Sequence, residues 1–126
     1  MHANKNWNEA EESCNQDGGH LASVHSKEEM DFIGGLIWAP GFDRAWIGGQ
    51  RKGKKFQWID GSPFNFSNWY AKHNDPNNMN NNENCIEVYS NKGQDSNGFD
   101  EKWNDHPCYE LKNFVCKKQI VEGGMF

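Results

Sequence analysis

Four cysteines constrain the fold of this chain more than any other feature. They are Cys14, Cys85, Cys108 and Cys116, and no two of them form a Cys-x-x-Cys pair. This spacing argues against a zinc cage or a thioredoxin-type motif. An even number of cysteines in a small, asparagine-rich domain favours two disulfides and an oxidising compartment. Three pairings are compatible with four cysteines, and four reduced core cysteines are the alternative.

The length and charge of the chain indicate one domain that does not bind nucleic acid. The chain has 126 residues, which is enough for one domain and too few for two. Its net charge of −5 argues against nucleic acid, whose readers carry basic patches. No apolar run approaches the roughly 18 residues of a membrane-spanning helix. We expect residues 1–126 to be a single domain, secreted or the ectodomain of a membrane protein, with no membrane insertion of its own.

A polar stretch before Cys85 is the first candidate for function. Residues 74–84 hold two acids and seven asparagines, so this stretch cannot be core. A second short cluster, Trp103-Asn104-Asp105, is closed by Cys108. Calcium requires about 6–8 oxygen ligands from carboxylates, amide carbonyls and water, and these two segments supply such oxygens. A disordered low-complexity segment is the alternative for the asparagine-rich stretch.

The cysteines could join these two polar clusters. If Cys85 pairs with Cys108 inside a Cys14–Cys116 bridge, the clusters are stapled together, and the first helix is tied to the last strand.

The spacing of apolar residues predicts two helices near the start of the chain. The first covers residues 6–17, and Gly18-Gly19 ends it. The second begins at Ser26, where Glu29 completes a capping box, and Pro40-Gly41 breaks it. The apolar faces consist of Trp7, Ala10 and Cys14 in the first helix and Met30, Ile33 and Ile37 in the second.

Short strands and long loops are predicted for the rest of the chain. In the strand that begins at Cys85, alternation places Cys85 and Glu87 on one face. Residues 62–84 form a loop long enough to suggest a function. The predicted strands cover residues 45–49, 56–59, 85–89 and 114–117, with a shorter extended piece at 21–24 and ordered structure at 102–104.

Nine short motifs, in order, resemble the C-type lectin domain over residues 6–118. The resemblance implies an α+β, C-type lectin-like fold with two helices, two small antiparallel sheets and a long calcium- and sugar-binding loop region. It also implies the nested disulfides. The motifs are Trp7-x-x-Ala10-x-x-x-Cys14, Gly19-His20-Leu21-Ala22-Ser23, Trp46-Ile47-Gly48, Trp58-x-Asp60-Gly61-Ser62, Asn68-Trp69, Pro76-Asn77, Glu83-Asn84-Cys85, Trp103-Asn104-Asp105-x-x-Cys108 and Phe114-x-Cys116.

The resemblance implies one calcium ion to which the vicinal hydroxyls of a sugar bind directly. Pro76 would be a cis proline, which aims its two neighbours at the ion. A second calcium site found in some members needs acids near residues 49–52, where this chain has Gly49-Gln50-Arg51-Lys52. We therefore expect one functional calcium site. Its ligands, which also bind the sugar, are Asp75, Asn77, Glu83, Asn104 and Asp105.

The sequence departs from the family at the proline tripeptide and at the N-terminus. The tripeptide is Asp75-Pro76-Asn77 instead of Glu-Pro-Asn. It keeps the acid-then-amide order that accompanies mannose, fucose and N-acetylglucosamine in the family. Only five residues precede Asn6, where the family has a strand, so either the chain is truncated or this edge is open. An open edge beside residues 114–117 motivates the hypothesis of a homodimer.

The function implied is calcium-dependent carbohydrate binding, with glycans or glycoproteins as partners. The alternative is a lectin-like fold that binds protein or ice and has no sugar role. No Ser–His–Asp or Cys–His arrangement stands out once the cysteines are paired, so we do not expect an enzyme. Asn65 begins a glycosylation sequon. We interpret His73 and His106 as surface residues beside the site, and Trp46, Trp58 and Trp103 as core.

Overall fold

A computed structural model describes residues 4–38, 44–69, 83–90 and 101–118. Within these ranges the chain forms two helices and seven strands, an α+β arrangement as predicted. The elements are α1 (Trp7–Gln16), β1 (His20–Leu21), α2 (Lys27–Trp38), β2 (Arg44–Lys52), β3 (Lys55–Trp58), β4 (Cys85–Ser90), β5 (Glu101–His106), β6 (Asn113–Phe114) and β7 (Cys116–Lys117).

Helix α1 is delimited by local signals at both ends. The Asn6 side chain accepts a hydrogen bond from the Glu9 amide at 2.8 Å, and the Glu9 carboxylate accepts one from the Asn6 amide at 3.2 Å. This reciprocal capping box satisfies two amides that the helix itself leaves unpaired. After the helix, Gly18 adopts a φ of 85°, a conformation that glycine reaches without a Cβ penalty.

Helix α2 is capped by Ser26 as predicted, but the predicted capping box is only half correct. The Ser26 hydroxyl accepts a hydrogen bond from the Glu29 amide at 3.1 Å. The Glu29 carboxylate instead accepts from the His25 amide at 2.8 Å and from Lys117 Nζ at 2.7 Å. The ammonium group of Lys117, on β7, thus binds this carboxylate and connects the start of α2 to β7.

The strands of the described ranges form two sheets. The larger one has the order β3-β2-β4-β5, with β6 parallel to β2 and every other pair antiparallel. The smaller one pairs β1 with β7. A single last strand at 114–117 was predicted, and this prediction is wrong. The Val115 amide donates to the Trp46 carbonyl at 3.2 Å, whereas its own carbonyl accepts from Ala22 at 2.9 Å, so the chain changes sheet at Val115.

Two disulfides and two apolar clusters hold these layers together. Cys14 is bonded to Cys116 and Cys85 to Cys108, which confirms the nested pairing. The bridges close segments of 102 and 23 residues, for which chain-entropy estimates give about 5 and about 3 kcal/mol. The predicted helix faces are buried, and Trp46, Trp58 and Trp103 are 0%, 3% and 0% exposed, so they are core residues as predicted.

The segment ahead of α1 pairs with the chain just before β6. The amides of Lys5 and Lys112 each donate to the other's carbonyl at 2.9 Å. A homodimer through the edge near residues 114–117 stays a prediction. Among the described residues, neither helix has the length and apolar character needed to cross a bilayer.

Candidate functional site

The structure places part of the predicted ligand set. Glu83 immediately precedes β4, and Asn104 and Asp105 lie on β5. The register of β4 and β5 puts Asn104 opposite Glu87 and Asp105 opposite Ile86. The predicted residues His73, Asp75, Pro76 and Asn77 lie outside the described ranges.

Arg51 brings Glu83 and Asp105 together. Its Nη2 donates to the Asp105 Oδ2 atom at 2.8 Å and to the Glu83 carbonyl oxygen at 3.0 Å. The Asp105 side chain is 0% exposed and that of Arg51 is 16% exposed. A buried carboxylate needs a cationic partner, and Arg51 provides one. Two of the predicted ligands therefore share a guanidinium group.

The hairpin of β2 and β3 fixes Arg51 in this position. Arg51 lies opposite Phe56 in the register, and its guanidinium carbon is 4.5 Å from the centroid of the Phe56 ring. The backbone amide of Arg51 also donates to the Asn84 carbonyl at 2.7 Å. A guanidinium group over a ring face is attracted by the ring quadrupole. These contacts dock the segment before β4 against β2.

Asn104 points toward a second charged group. Its Nδ2 donates to the Glu87 Oε2 atom at 2.8 Å, which turns the amide carbonyl oxygen away from Glu87. Successive strand residues face opposite sides of a sheet, so Asn104 and Asp105 do not share a face of β5. The sequence predicts both as ligands of one ion, and in the described arrangement they belong to different networks.

Glu87 is the centre of the second network. Its side chain is 0% exposed and lies 3.1 Å from Arg44 Nη1 and 3.0 Å from Lys112 Nζ. Lys112 is itself only 8% exposed and lies 5.3 Å from the Trp46 ring centroid. The cations compensate for the burial of the carboxylate, and the carboxylate in turn sets the orientation of Asn104. No sequence motif indicates the roles of Arg44, Arg51, Glu87 or Lys112.

His106 is predicted to be a surface residue, but its side chain is largely buried. Its side chain is 19% exposed, and its Nδ1 atom lies 3.3 Å from Glu110 Oε1. Its ring centroid is 6.5 Å from that of Trp46. His106 lies opposite Cys85 in the register of β4 and β5, and its ring lies beside that of the core residue Trp46.

A polar cavity on another part of the surface contains a serine, a histidine and an aspartate. The cavity has a volume of about 590 Å³ and is lined by Ser23, His25 and Asp60 among others. The Ser23 hydroxyl donates to Asp60 at 2.6 Å and accepts from Lys117 at 3.1 Å. Nucleophilic triads place the histidine between the serine and the carboxylate. His25 Nε2 lies 3.2 Å from the Ser23 hydroxyl oxygen, but the Asp60 carboxylate contacts the serine instead of the histidine, so the three side chains are not arranged as such a triad.

The carboxylates around this cavity are stabilised in their charged form. Burial raises the pKa of Glu29, but hydrogen bonds from Lys117 and His25 outweigh it, and the pKa lies below its ordinary value. Burial likewise raises the pKa of Asp60, and hydrogen bonds from Ser23 and Ser62 bring that pKa below its ordinary value. Both groups therefore link proton binding to folding.

We expect the melting temperature to fall as the pH is lowered from about 5 to about 3. A carboxyl group whose pKa is depressed by folding stabilises the protein above its unfolded pKa, and the contribution disappears as the pH falls through the folded pKa. Glu29→Gln should flatten this dependence, as measured by circular dichroism melts at several pH values. Glu28→Gln, at an exposed neighbouring position, is the control and should leave the slope unchanged. Equal slopes for wild type and Glu29→Gln would contradict the assignment.

The donor atoms of the described part of the site suit a hard cation. The side chains of Glu83, Asn104 and Asp105 offer carboxylate and amide oxygens, the ligands that calcium prefers. Within the described ranges, no group of three or more histidine, cysteine, aspartate or glutamate side chains is close enough to hold a metal ion. The described part of the predicted ligand set therefore does not by itself form such a group.

Comparisons with known proteins agree with this architecture. The family model of the lectin C-type domain matches residues 3–118. A C-type lectin, mannose-binding isoform, from Oxyuranus scutellatus is 36% identical over 121 residues, which is 90% of this chain and 70% of that protein. The cow CD23 carbohydrate-recognition domain, solved in the presence of a GlcNAc2Man3 oligosaccharide, has a TM-score of 0.75 and 31% identity, covering 94% of this chain and 84% of that one.

A solved structure described as an antifreeze protein, not as a carbohydrate-binding domain, is as similar to this fold as the CD23 domain is. A calcium-independent type II antifreeze protein has a TM-score of 0.75 and 28% identity, covering 90% of this chain and 78% of that one. The fold and the disulfides define a small α+β domain of the lectin-like class. The chain belongs to the C-type lectin domain family.

Proposed function

We propose that this protein is an extracellular calcium-dependent carbohydrate-binding domain. The observation that supports the proposal is that Arg51 donates hydrogen bonds to both the backbone carbonyl of Glu83 and the fully buried carboxylate of Asp105, so two of the proposed ligand residues meet at one guanidinium group. These two acids lie at the end of the polar stretch 74–84 and within the Cys85–Cys108 loop. A strand scaffold that holds the Asp105 carboxylate and the main chain of Glu83, the residue that follows an oxygen-rich stretch of the sequence, suits calcium.

The proposed site holds one calcium ion and binds the hydroxyl groups of a sugar. Calcium, when bound, supplies open coordination positions for two neighbouring hydroxyl oxygens. The side chains of this chain accept or donate hydrogen bonds to the same hydroxyls. Mannose-type sugars are the proposed class, which the acid-then-amide order and the mannose-binding relative support. The proposed ligands are Asp75, Asn77, Glu83, Asn104 and Asp105, with Pro76 in the cis form.

A protein- or ice-binding domain without a sugar role is the second candidate. Arg51 already pairs with Asp105 at 2.8 Å, so the carboxylate has a counter-ion that is not a metal. The similarity to a calcium-independent antifreeze protein also favours this candidate. The chain contains no threonine, although flat, threonine-rich faces are frequent in ice-binding members of the family.

A glycan array probed with and without calcium separates the two candidates. We expect retention of mannose-type glycans in calcium and loss of all retention after addition of a chelator. Binding that persists unchanged in chelator, or an array without any bound glycan, would refute the proposed mechanism.

Glu83→Gln should abolish calcium-dependent retention on a mannose column. The change removes one charged ligand and keeps the size of the side chain and the carbonyl contact with Arg51. Because the Glu83 carbonyl and the disulfides are untouched, the circular dichroism spectrum should be that of the wild type. Glu110→Gln removes the same charge at a position beyond Cys108 and should retain the column affinity. Full retention by Glu83→Gln would exclude Glu83 as a ligand.

A further inference from the structure

The tip of the β2–β3 hairpin is positively charged, whereas the protein as a whole is negatively charged. Residues 51–55 have the sequence Arg-Lys-Gly-Lys-Lys, with four cations among five residues, whereas the whole chain has a net charge of −5. Lys52, Lys54 and Lys55 are exposed. In the part of the chain that the structure describes, no acidic side chain pairs with any of these three amino groups.

Two of these lysines face each other across the hairpin. The register places Lys52 directly opposite Lys55, and Gly53 in the turn between them has a φ of 65°. Like charges directly opposite each other destabilise an antiparallel pair. The hairpin therefore keeps an unfavourable contact that folding alone does not require. A bound anion would relieve it.

The outer face of the same hairpin carries further hydrogen-bond donors. Gln50 lies opposite Gln57, and alternation puts this pair on the same face as Lys52 and Lys55. Arg51 occupies the other face, where it contacts Asp105. The outer face thus combines two amides with two ammonium groups and contains no carboxylate.

We propose that this hairpin tip binds the sulfate or carboxylate groups of an acidic glycan. Lysine ammonium groups bind such anions as point charges. Arg51 contacts both Glu83 and Asp105, and a strand rises about 3.3 Å per residue. The tip consequently lies within reach of an oligosaccharide anchored at the proposed calcium site. The inference rests on the proposed function and specifies its substrate class as glycans that carry negative charge.

The proposal is tested by comparing dextran sulfate with neutral mannan as immobilised probes. The hairpin variant is Lys52→Gln/Lys55→Gln. Its control is Lys27→Gln/Lys118→Gln, which removes the same charge from exposed positions elsewhere. For the hairpin variant we expect a Kd for dextran sulfate weaker by about ten-fold, in calcium and in chelator alike. Its mannan binding should be unchanged, and its melting temperature equal to or above that of the wild type because the facing charges are gone.

Each outcome bears on one of the two proposals. Equal weakening in the hairpin and control variants would overturn the hairpin site, because net charge alone would explain it. Binding to vesicles that contain phosphatidylserine, without binding to dextran sulfate, would also overturn it and indicate a lipid surface. If wild type fails to bind mannan in calcium while the hairpin-specific loss persists, the proposed calcium-dependent function is wrong and the anion site stands.

Discussion

We expect Glu87→Ala to lower the free energy of unfolding by about 3–5 kcal/mol. The side chain is 0% exposed and pairs with Arg44 and Lys112. Removal of the carboxylate leaves the 8%-exposed Lys112 without this partner and releases the Asn104 amide from its acceptor. Removal of one member of a buried ion pair is more damaging than loss of the whole pair, because the remaining charge stays desolvated. Urea denaturation followed by circular dichroism measures the change.

Two further variants separate charge from shape at this position. Glu28→Ala, at an exposed site in the first turn of α2, should change the stability by no more than about 0.5 kcal/mol. Glu87→Gln keeps an acceptor for Asn104 and removes only the charge, so its stability should lie between that of wild type and Glu87→Ala. If Glu87→Ala remains within about 1 kcal/mol of wild type, the network contributes little to folding.

Local sequence signals predicted the helices because each helix depends on few residues. The face formed by Trp7, Ala10 and Cys14 follows from helical spacing alone, and all three residues are buried. The cysteine pairing was one of three possibilities until the family resemblance selected it. The boundary at Val115 was missed because it depends on which neighbouring strand accepts each backbone hydrogen bond, and no local pattern encodes that choice.

The charged networks around the candidate site were the least predictable feature. In the sequence, Gln50-Arg51-Lys52 is informative only because it lacks the acids that a second calcium site needs. It does not indicate a role for the Arg51 guanidinium group. Alternation had placed Glu87 on the same face as the disulfide-bonded Cys85, which was sufficient to indicate a buried carboxylate. Such a group requires cationic partners. Their identity depends on contacts with Arg44 and Lys112, 43 positions before it and 25 after it in the sequence.

Arg51→Met should destabilise the calcium-free protein by about 3 kcal/mol and tighten calcium binding by about ten-fold or more. In chelator, the variant leaves the fully buried Asp105 carboxylate without its guanidinium partner. In calcium, two cations that share a carboxylate lie within about 4–6 Å of each other. At about 4 Å, a divalent ion and a guanidinium group repel by roughly 2 kcal/mol even at the dielectric constant of water. This repulsion disappears in the variant and outweighs the loss of the bond to the Glu83 carbonyl.

Thermal melts in chelator and in calcium, together with isothermal titration with calcium, test both halves of this prediction. A ligand of the folded state adds RT ln(1 + [L]/Kd) to the free energy of unfolding and so raises the melting temperature; with a tighter Kd, calcium should stabilise Arg51→Met far more than wild type. Lys52→Met is the matched control, because it removes the same charge from the next residue but from an exposed side chain. Its stability in chelator should be equal to or slightly above that of wild type, because the variant also removes the charge that faces Lys55. A weaker calcium Kd for Arg51→Met would show that Arg51 organises the ligands more than it repels the ion. If wild type binds no calcium, the loss of stability in chelator still tests the Arg51–Asp105 pair by itself.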